Sequence, residues 1–263
     1  MDLHLKDKVV IVTGGAKGIG EGICRALAAE GAIPAIIGRS QADNEEAARQ
    51  ITQATAITPF QVVAELTIPA ECKNAVDAVL AKFGRIDGVV NNAGVNDGVG
   101  LENGNYEDFV ASLHKNMIHY YLIVQHALPA LKLSKGAILN ITSKTADTGQ
   151  GNTSGYAAAN GGRNGLTREW AVELLKYGIR VNAVVVAECW TPLYEKWISS
   201  LPDPEAKLKD ITSKIPFENR MTTSAEIADT AVFLLSDRSS HTTGQIIYVD
   251  GGYVHLDRAL ANG

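Results

Sequence analysis

A chain of 263 residues, 46% hydrophobic and 20% charged, fits one globular domain with a full core, although length alone would also permit two. Its formal net charge of -5 and its lack of any long basic run argue against nucleic acid or an anionic membrane as the main partner. The early apolar run "VVIV" is too short for a signal sequence or a membrane span, so a cytoplasmic protein is expected. Cys24, Cys72 and Cys189 have neither metal-ligand nor CxxC spacing, which predicts reduced, mostly buried thiols and no metal site.

Short β-branched runs follow in the order "KVVIVTG", "IPAIIG", "FQVVAEL", "DGVVNNAG", "GAILNITS", "RVNAVVV" and "GQIIYVDGG". Most are separated by stretches of helical periodicity. Both "EGICRALAAEG" and "AECKNAVDAVLAKFG" stop at a glycine, and "RNGLTREWAVELLKYG" puts Leu166, Trp170 and Leu174 on one stripe. Strands alternating with helices predict a doubly wound α/β domain over residues 1–263, its parallel sheet covered by helices on both faces. Residues 188–224 interrupt the alternation before a helix expected at 225–235. They mix Trp190, Tyr194 and Trp197 with charges, as in a substrate-covering insertion, or as in a packed helical insertion whose aromatics serve only a core.

The first strand runs into "TGGAKGIG", Thr13 to Gly20, and then into a helix. Glycines at 14, 18 and 20 let the backbone turn tightly and approach a pyrophosphate, which the free N–H groups and dipole of the helix N-terminus attract. The strand-loop-helix setting strengthens a pattern that alone is weak; the alternative is a tight turn with no ligand. Further on, "TSGYAAANGG" opens a helix with Tyr156 and Asn160 four apart on one face. A free phenol titrates near pH ~10, so proton transfer by Tyr156 near neutrality needs a neighbouring positive charge, and Asn160 has none.

Four ordered motifs carry a resemblance: TGxxxGxG after the first strand, "NNAG" (Asn91 to Gly94) after the fourth, Ser143 after the fifth, and Tyr156 thirteen residues later. Down to the terminal "VDGG", the chain resembles the short-chain dehydrogenases/reductases. That resemblance implies a Rossmann-type domain that transfers hydride between a nicotinamide cofactor and a small hydroxyl or carbonyl substrate. It also implies a homotetramer with the stretch near Tyr248 and Tyr253 at an interface. Ser143 is then expected to hold the substrate oxygen, Tyr156 to exchange the proton, and Asn116, in "HKNMIHYY", to anchor a water relay. The cofactor is expected against Gly14, Lys17, Gly18, Ile19, Gly20, Arg39, Leu66, Asn92, Ala93, Gly94, Tyr156, Asn160, Cys189 and Thr191. Relatives that use NAD carry an acidic residue at the end of the second strand. Here Gly38 stands there, followed by Arg39, and Lys17 adds a second cation, so NADP(H) is expected, with NAD as the alternative.

The family pattern YxxxK reads Tyr156, Ala157, Ala158, Ala159, Asn160 in this chain. Asn160 can hydrogen-bond ribose hydroxyls but brings no charge. Candidate cations are the oxidised nicotinamide, the helix dipole, Lys144, and Arg163 on the same helical face. The stretches "NAGVNDGVGLE", "SKTADTGQGNTSGY", "AECWTPLYEKW" and "VDGGYVHLDRAL" are similar to the branch of L-fucose and related aldose dehydrogenases. Glu188 stands where most relatives have a small residue. With Asn96, Asp97, Gln150 and Asn152, and with Thr145 and Trp190 nearby, it makes a polar pocket suited to several hydroxyls. Oxidation of an aldose at C1 to a lactone is the expected reaction. Taken singly, Asp97 and Asn152 are ordinary turn residues, and Glu188 could pair with a cation to fix its loop. A second reading, resting on Asn160, is an NADP(H)-binding protein of the same fold without turnover, a scaffold or redox sensor.

Overall fold

The computed structural model describes residues 2–257. All seven expected strands form: β1 (Val9–Thr13), β2 (Ile33–Gly38), β3 (Phe60–Val63), β4 (Gly88–Asn91), β5 (Ala137–Ser143), β6 (Arg180–Val186) and β7 (Ile246–Val249). They pair in parallel in the order β3-β2-β1-β4-β5-β6-β7. The helices are α1 (Gly18–Ala29), α2 (Gln41–Thr55), α3 (Pro69–Phe83), α4 (Tyr106–Leu113), α5 (His119–Ser134), α6 (Ser154–Glu173), α7 (Pro192–Ser199), α8 (Pro204–Thr212) and α9 (Ser224–Leu235).

Side chains of a strand alternate between faces, and β1 shows how this divides the interior. Val10 and Val12 pack with Ile23 and Leu27 of α1, Ile51 of α2 and Ile227 of α9. Val9 and Ile11 pack with Val76 of α3, Ile123 of α5 and Trp170 of α6. Each fully buried aliphatic side chain contributes about 1.5–3 kcal/mol, and both faces are dry, which is why the strands read as unbroken β-branched runs. Helix ends follow their capping chemistry: α3 opens on Pro69 and closes at Gly84 in the left-handed region (φ 67°), and α9 opens with a Thr223–Glu226 capping box.

The strand order reverses between β1 and β4, so the chain opens a crevice beyond the carboxyl ends of these strands. Thr13, Gly38, Asn91, Ser143 and Val186 end their strands there. Residues 188–224 hold α7 and α8, whose Ile198 and Ile211 form a small separate core with Ile215 and Met221, joined by Tyr194 and Tyr253. Trp190 and Trp197 stay 39% and 45% exposed, so of the three aromatics only Tyr194 serves that core. Cys24, Cys72 and Cys189 are buried and unbridged. No helix among the described residues is long and apolar enough to cross a membrane.

Candidate active site

The loop after β1 is built on close backbone approach. A Cβ on Gly20 would fall 2.2 Å from the Gly14 carbonyl oxygen, so only glycine lets α1 start this near the strand. Lys17 caps α1 without a side-chain hydrogen bond, which leaves the first N–H groups open to an anion. The loop is tied to the segment after β4. Thr13 Oγ1 accepts from the amides of Asn92 (2.9 Å) and Ala93 (3.1 Å), and Asn92 Nδ2 donates to the carbonyls of Thr13 (2.9 Å) and Gly14 (3.3 Å). Thr191, the N-cap of α7, comes within 3.2 Å of where a Gly18 Cβ would stand. This cradle fits a dinucleotide: its open helix N-terminus takes a pyrophosphate and its missing side chains leave the backbone approachable.

At the end of β2, a Cβ on Gly38 would meet Asn44 Oδ1 at 2.5 Å, so no acidic side chain fits there without moving Asn44. Arg39 is 80% exposed, 3.7 Å from Glu65, and Lys17 pairs with Asp43 at 2.8 Å. Both expected cations thus already have a carboxylate partner. Leu66 is buried and Ile19 partly so. Burial pushes the Cys189 thiol up to about 11; its Sγ lies 3.9 Å from Ser224 Oγ in the core, which leaves its main chain for any cofactor contact.

Ser143 ends β5, buried, its Oγ accepting from the Thr145 amide at 3.3 Å. Tyr156 lies half-buried in the first turn of α6, whose N-cap, Thr153, makes no side-chain cap bond. A buried polar ladder fixes α6 to the sheet: Asn91 Nδ2 donates to Asn140 Oδ1 (3.0 Å), and Asn140 Nδ2 donates to Thr167 Oγ1 (2.9 Å). Asn116 sits in a π-helical turn, His114–Ile118, between α4 and α5. Its Oδ1 accepts from the Val95 amide at 2.7 Å, so the turn holds the chain just beyond Gly94.

Below Tyr156 the buried face of α6 is tied together by side chains. Asn160 is fully buried, and its carboxamide is engaged on both ends: Nδ2 donates to the Tyr156 carbonyl (2.8 Å) and Oδ1 accepts from Arg163 Nη1 (2.9 Å). Both ends of the carboxamide are thus held by the protein itself. Asn116, expected to anchor a water relay, accepts at its carbonyl from Arg163 Nε at 2.5 Å. Of the candidate cations, Lys144 is spent elsewhere, since its ammonium is ion-paired with Glu188.

That pair is the centre of a second polar cluster. Lys144 and Glu188 side chains are 9% and 14% exposed, Tyr194 donates its hydroxyl to Glu188 Oε2 at 2.7 Å, and the Lys144 ammonium lies 4.0 Å over the Tyr253 ring. Burial, and then the Glu188 carboxylate, hold the Tyr194 phenol well above its usual range. Asp97 accepts from Ser112 Oγ (2.8 Å) and Lys115 (3.3 Å), and Asn152 abuts Gly100 with φ 54°. Asn96 and Gln150 are exposed, and Thr145 is buried with its hydroxyl unpartnered among the described residues. Asp97 and Asn152 thus belong to one rim of loops and Glu188 to another cluster. Tyr194, expected within the insertion, and Tyr253, expected near an interface, both join this cluster. Residues 258–260, the end of the stretch "VDGGYVHLDRAL", lie outside the described residues.

The comparisons agree with this geometry. The family model described as enoyl-(acyl carrier protein) reductase matches residues 14–254. The L-fucose dehydrogenase of Bos taurus is 34% identical over 253 residues, 96% of this chain and 91% of that protein. The 3-oxoacyl-[acyl-carrier-protein] reductase FabG of Thermotoga maritima is also 34% identical, over 96% of this chain and 100% of its own. The crystal structure of Cj0485 dehydrogenase superposes with a TM-score of 0.95 at 47% identity, covering 99% of both chains. With the glycine cradle, the seven-stranded parallel sheet, Ser143 at the end of β5 and Tyr156 in the first turn of α6, the chain belongs to the short-chain dehydrogenase/reductase family and is an enzyme of that class.

Proposed function

We propose that the protein oxidises an aldopyranose such as L-fucose at C1 to the lactone, with NADP+ as the preferred oxidant. The observation that carries this reading is the largely buried Lys144–Glu188–Tyr194 cluster, whose Lys144 directly follows Ser143. A site lined with fixed donors and acceptors penalises an apolar substrate, which leaves them unpaired, and rewards one with several hydroxyls. Relatives named L-fucose dehydrogenase support it. Ser143 donates to the C1 oxygen and Tyr156 accepts the proton that leaves it. A nicotinamide held in the glycine cradle would supply the hydride acceptor, while this chain's residues supply position and proton traffic. Gly38 and Arg39 support NADP+ at the adenosine end; Asn96, Asp97, Gln150, Asn152 and Trp190 rim the sugar. The buried thiols fit a cytoplasmic enzyme, and the half-buried Tyr248 fits a homotetramer contact.

The test is a panel of aldoses, polyols, secondary alcohols and 3-oxoacyl thioesters with both cofactors. Highest kcat/KM on an aldose with NADP+ is expected. Far better turnover of an acyl thioester would refute the sugar assignment. Tight NADP+ binding with no turnover of any compound would make the chain a scaffold or sensor.

A further inference from the structure

The buried face of α6 beneath Tyr156 holds a cation whose partners are all neutral. Arg163 is 3% exposed. It donates to the carbonyls of Asn116 (2.5 Å) and Ile141 (3.2 Å) and to Asn160 Oδ1 (2.9 Å), and its guanidinium lies 4.3 Å over the Tyr120 ring. Its Nη2 is wholly buried and has no acceptor among the described residues. A guanidinium held away from water without a carboxylate is costly, yet the surroundings are shaped around it. The Asn116 carbonyl that accepts from Arg163 lies in the π-helical turn between α4 and α5. Gly94 leaves room as well, because a Cβ there would fall 2.8 Å from Nη2.

We infer that Arg163, bracketed by Asn160, is the positioning residue that supplies Tyr156 with its fixed positive charge, in place of a lysine four residues after the tyrosine. This rests on the reading that Tyr156 moves the proton. Residues 156, 160 and 163 share one helical face, and helical side chains lean toward the N-terminus, so an arginine two turns on reaches back under the first turn. Asn160 completes the link, joining the Tyr156 carbonyl to Arg163 Nη1. An uncompensated buried cation favours a nearby phenolate, by about one to three pH units when it is within ~4–6 Å. Burial and then the Arg163 charge push His119 down to about 4, and the same charge works against the burial that raises the Tyr120 phenol.

The other charged groups around this face are accounted for. His119 is neutral at working pH, Lys115 pairs with Asp97, Lys144 with Glu188, and Glu107 and Asp108 of α4 are exposed, Asp108 held by Asn105. Arg168, further along α6, is exposed.

The test compares wild type, Arg163→Gln, Arg163→Lys and the double variant Asn160→Lys/Arg163→Val. Two readouts are taken: the near-ultraviolet absorbance of tyrosinate in the cofactor-free protein, with Tyr156→Phe subtracted, and the pH–rate profile with sugar and NADP+. Arg163→Gln is expected to move both the absorbance step and the rise in rate upward by about one unit or more, cutting turnover near neutrality at least ~tenfold, with cofactor KM changed far less. Arg163→Lys stays near wild type, and the double variant recovers both readouts. A folded Arg163→Gln whose two profiles coincide with wild type overturns the inference. Should Arg163→Gln fail to fold, the double variant decides: recovery of a wild-type profile supports the inference, and an alkaline-displaced one overturns it. A wild type that turns over nothing, with a tyrosine step that still responds to Arg163, defeats the proposed activity and leaves this inference standing.

Discussion

The glycine cradle after β1 and the buried face of α6 border one site, yet they are held in opposite ways. The cradle is a matter of backbone: Gly20 against the Gly14 carbonyl, and Thr13 and Asn92 pinning two loops through main-chain atoms. Under Tyr156 the work falls to side chains, where a guanidinium, a carboxamide and a neutral imidazole pack in place of a lysine. A backbone-shaped site admits no extra atom. A side-chain-shaped one can exchange its residues when charge and hydrogen bonds return from another position on the same face, and Asn160 with Arg163 is such an exchange.

The sharpest way to break this comparison is Tyr156→Phe. Removing a proton-transfer group is expected to lower kcat about 10²–10⁴-fold while a cofactor titration gives an unchanged Kd; near-wild-type kcat would place the proton chemistry on another group. Acid stability comes next, because the side under Tyr156 contains a buried histidine that titrates in the acid range. His119 is held at about 4 against an ordinary 6.5, so between these values the unfolded chain binds more protons than the folded one. Stability is complete above 6.5 and falls as pH drops toward 4, by about 2–3 kcal/mol. His119→Gln should flatten that part of a urea-denaturation series; an unchanged slope would assign the acid loss elsewhere.

On the cradle side, Gly20→Ala forces a methyl onto a carbonyl and should cost about 1–3 kcal/mol, lowering Tm and cofactor affinity together. Loss of neither would mean that the loop is soft. The smallest effect is expected from Arg39→Ala. Arg39 is exposed and already near Glu65, so solvent screening trims its contribution, and NADP+ binding should weaken about tenfold with NAD+ hardly changed. Equal losses for both cofactors would remove Arg39 from the 2′-phosphate.

The sheet was legible because both its faces are buried, which leaves uninterrupted Val/Ile runs with few competing readings. The cradle was legible because glycine spacing directly encodes close approach. The face under Tyr156 was not. Asn160, Arg163, Asn164 and Thr167 are all buried, but a run of polar residues in a helix reads as a solvent face, and the distant partners that make burying it tolerable, the carbonyls of Asn116 and Ile141 and the carboxamide of Asn140, are not visible in the local pattern. Likewise Lys144 and Glu188 are 44 residues apart and meet because β5 and β6 are neighbours, which no local pattern reveals. The alternative that Glu188 pairs with a cation is what the structure contains, and that pairing is also what makes its cluster fixed and polar.

The most direct measurement of the proposed chemistry is to incubate the protein with NADP+ and L-fucose carrying deuterium at C1, and to weigh the reduced cofactor by mass spectrometry. One deuterium per reduced nicotinamide is expected from wild type, with almost none formed by Tyr156→Phe. Reduced cofactor without deuterium, or no reduced cofactor across pH, would contradict hydride removal from C1 by this enzyme.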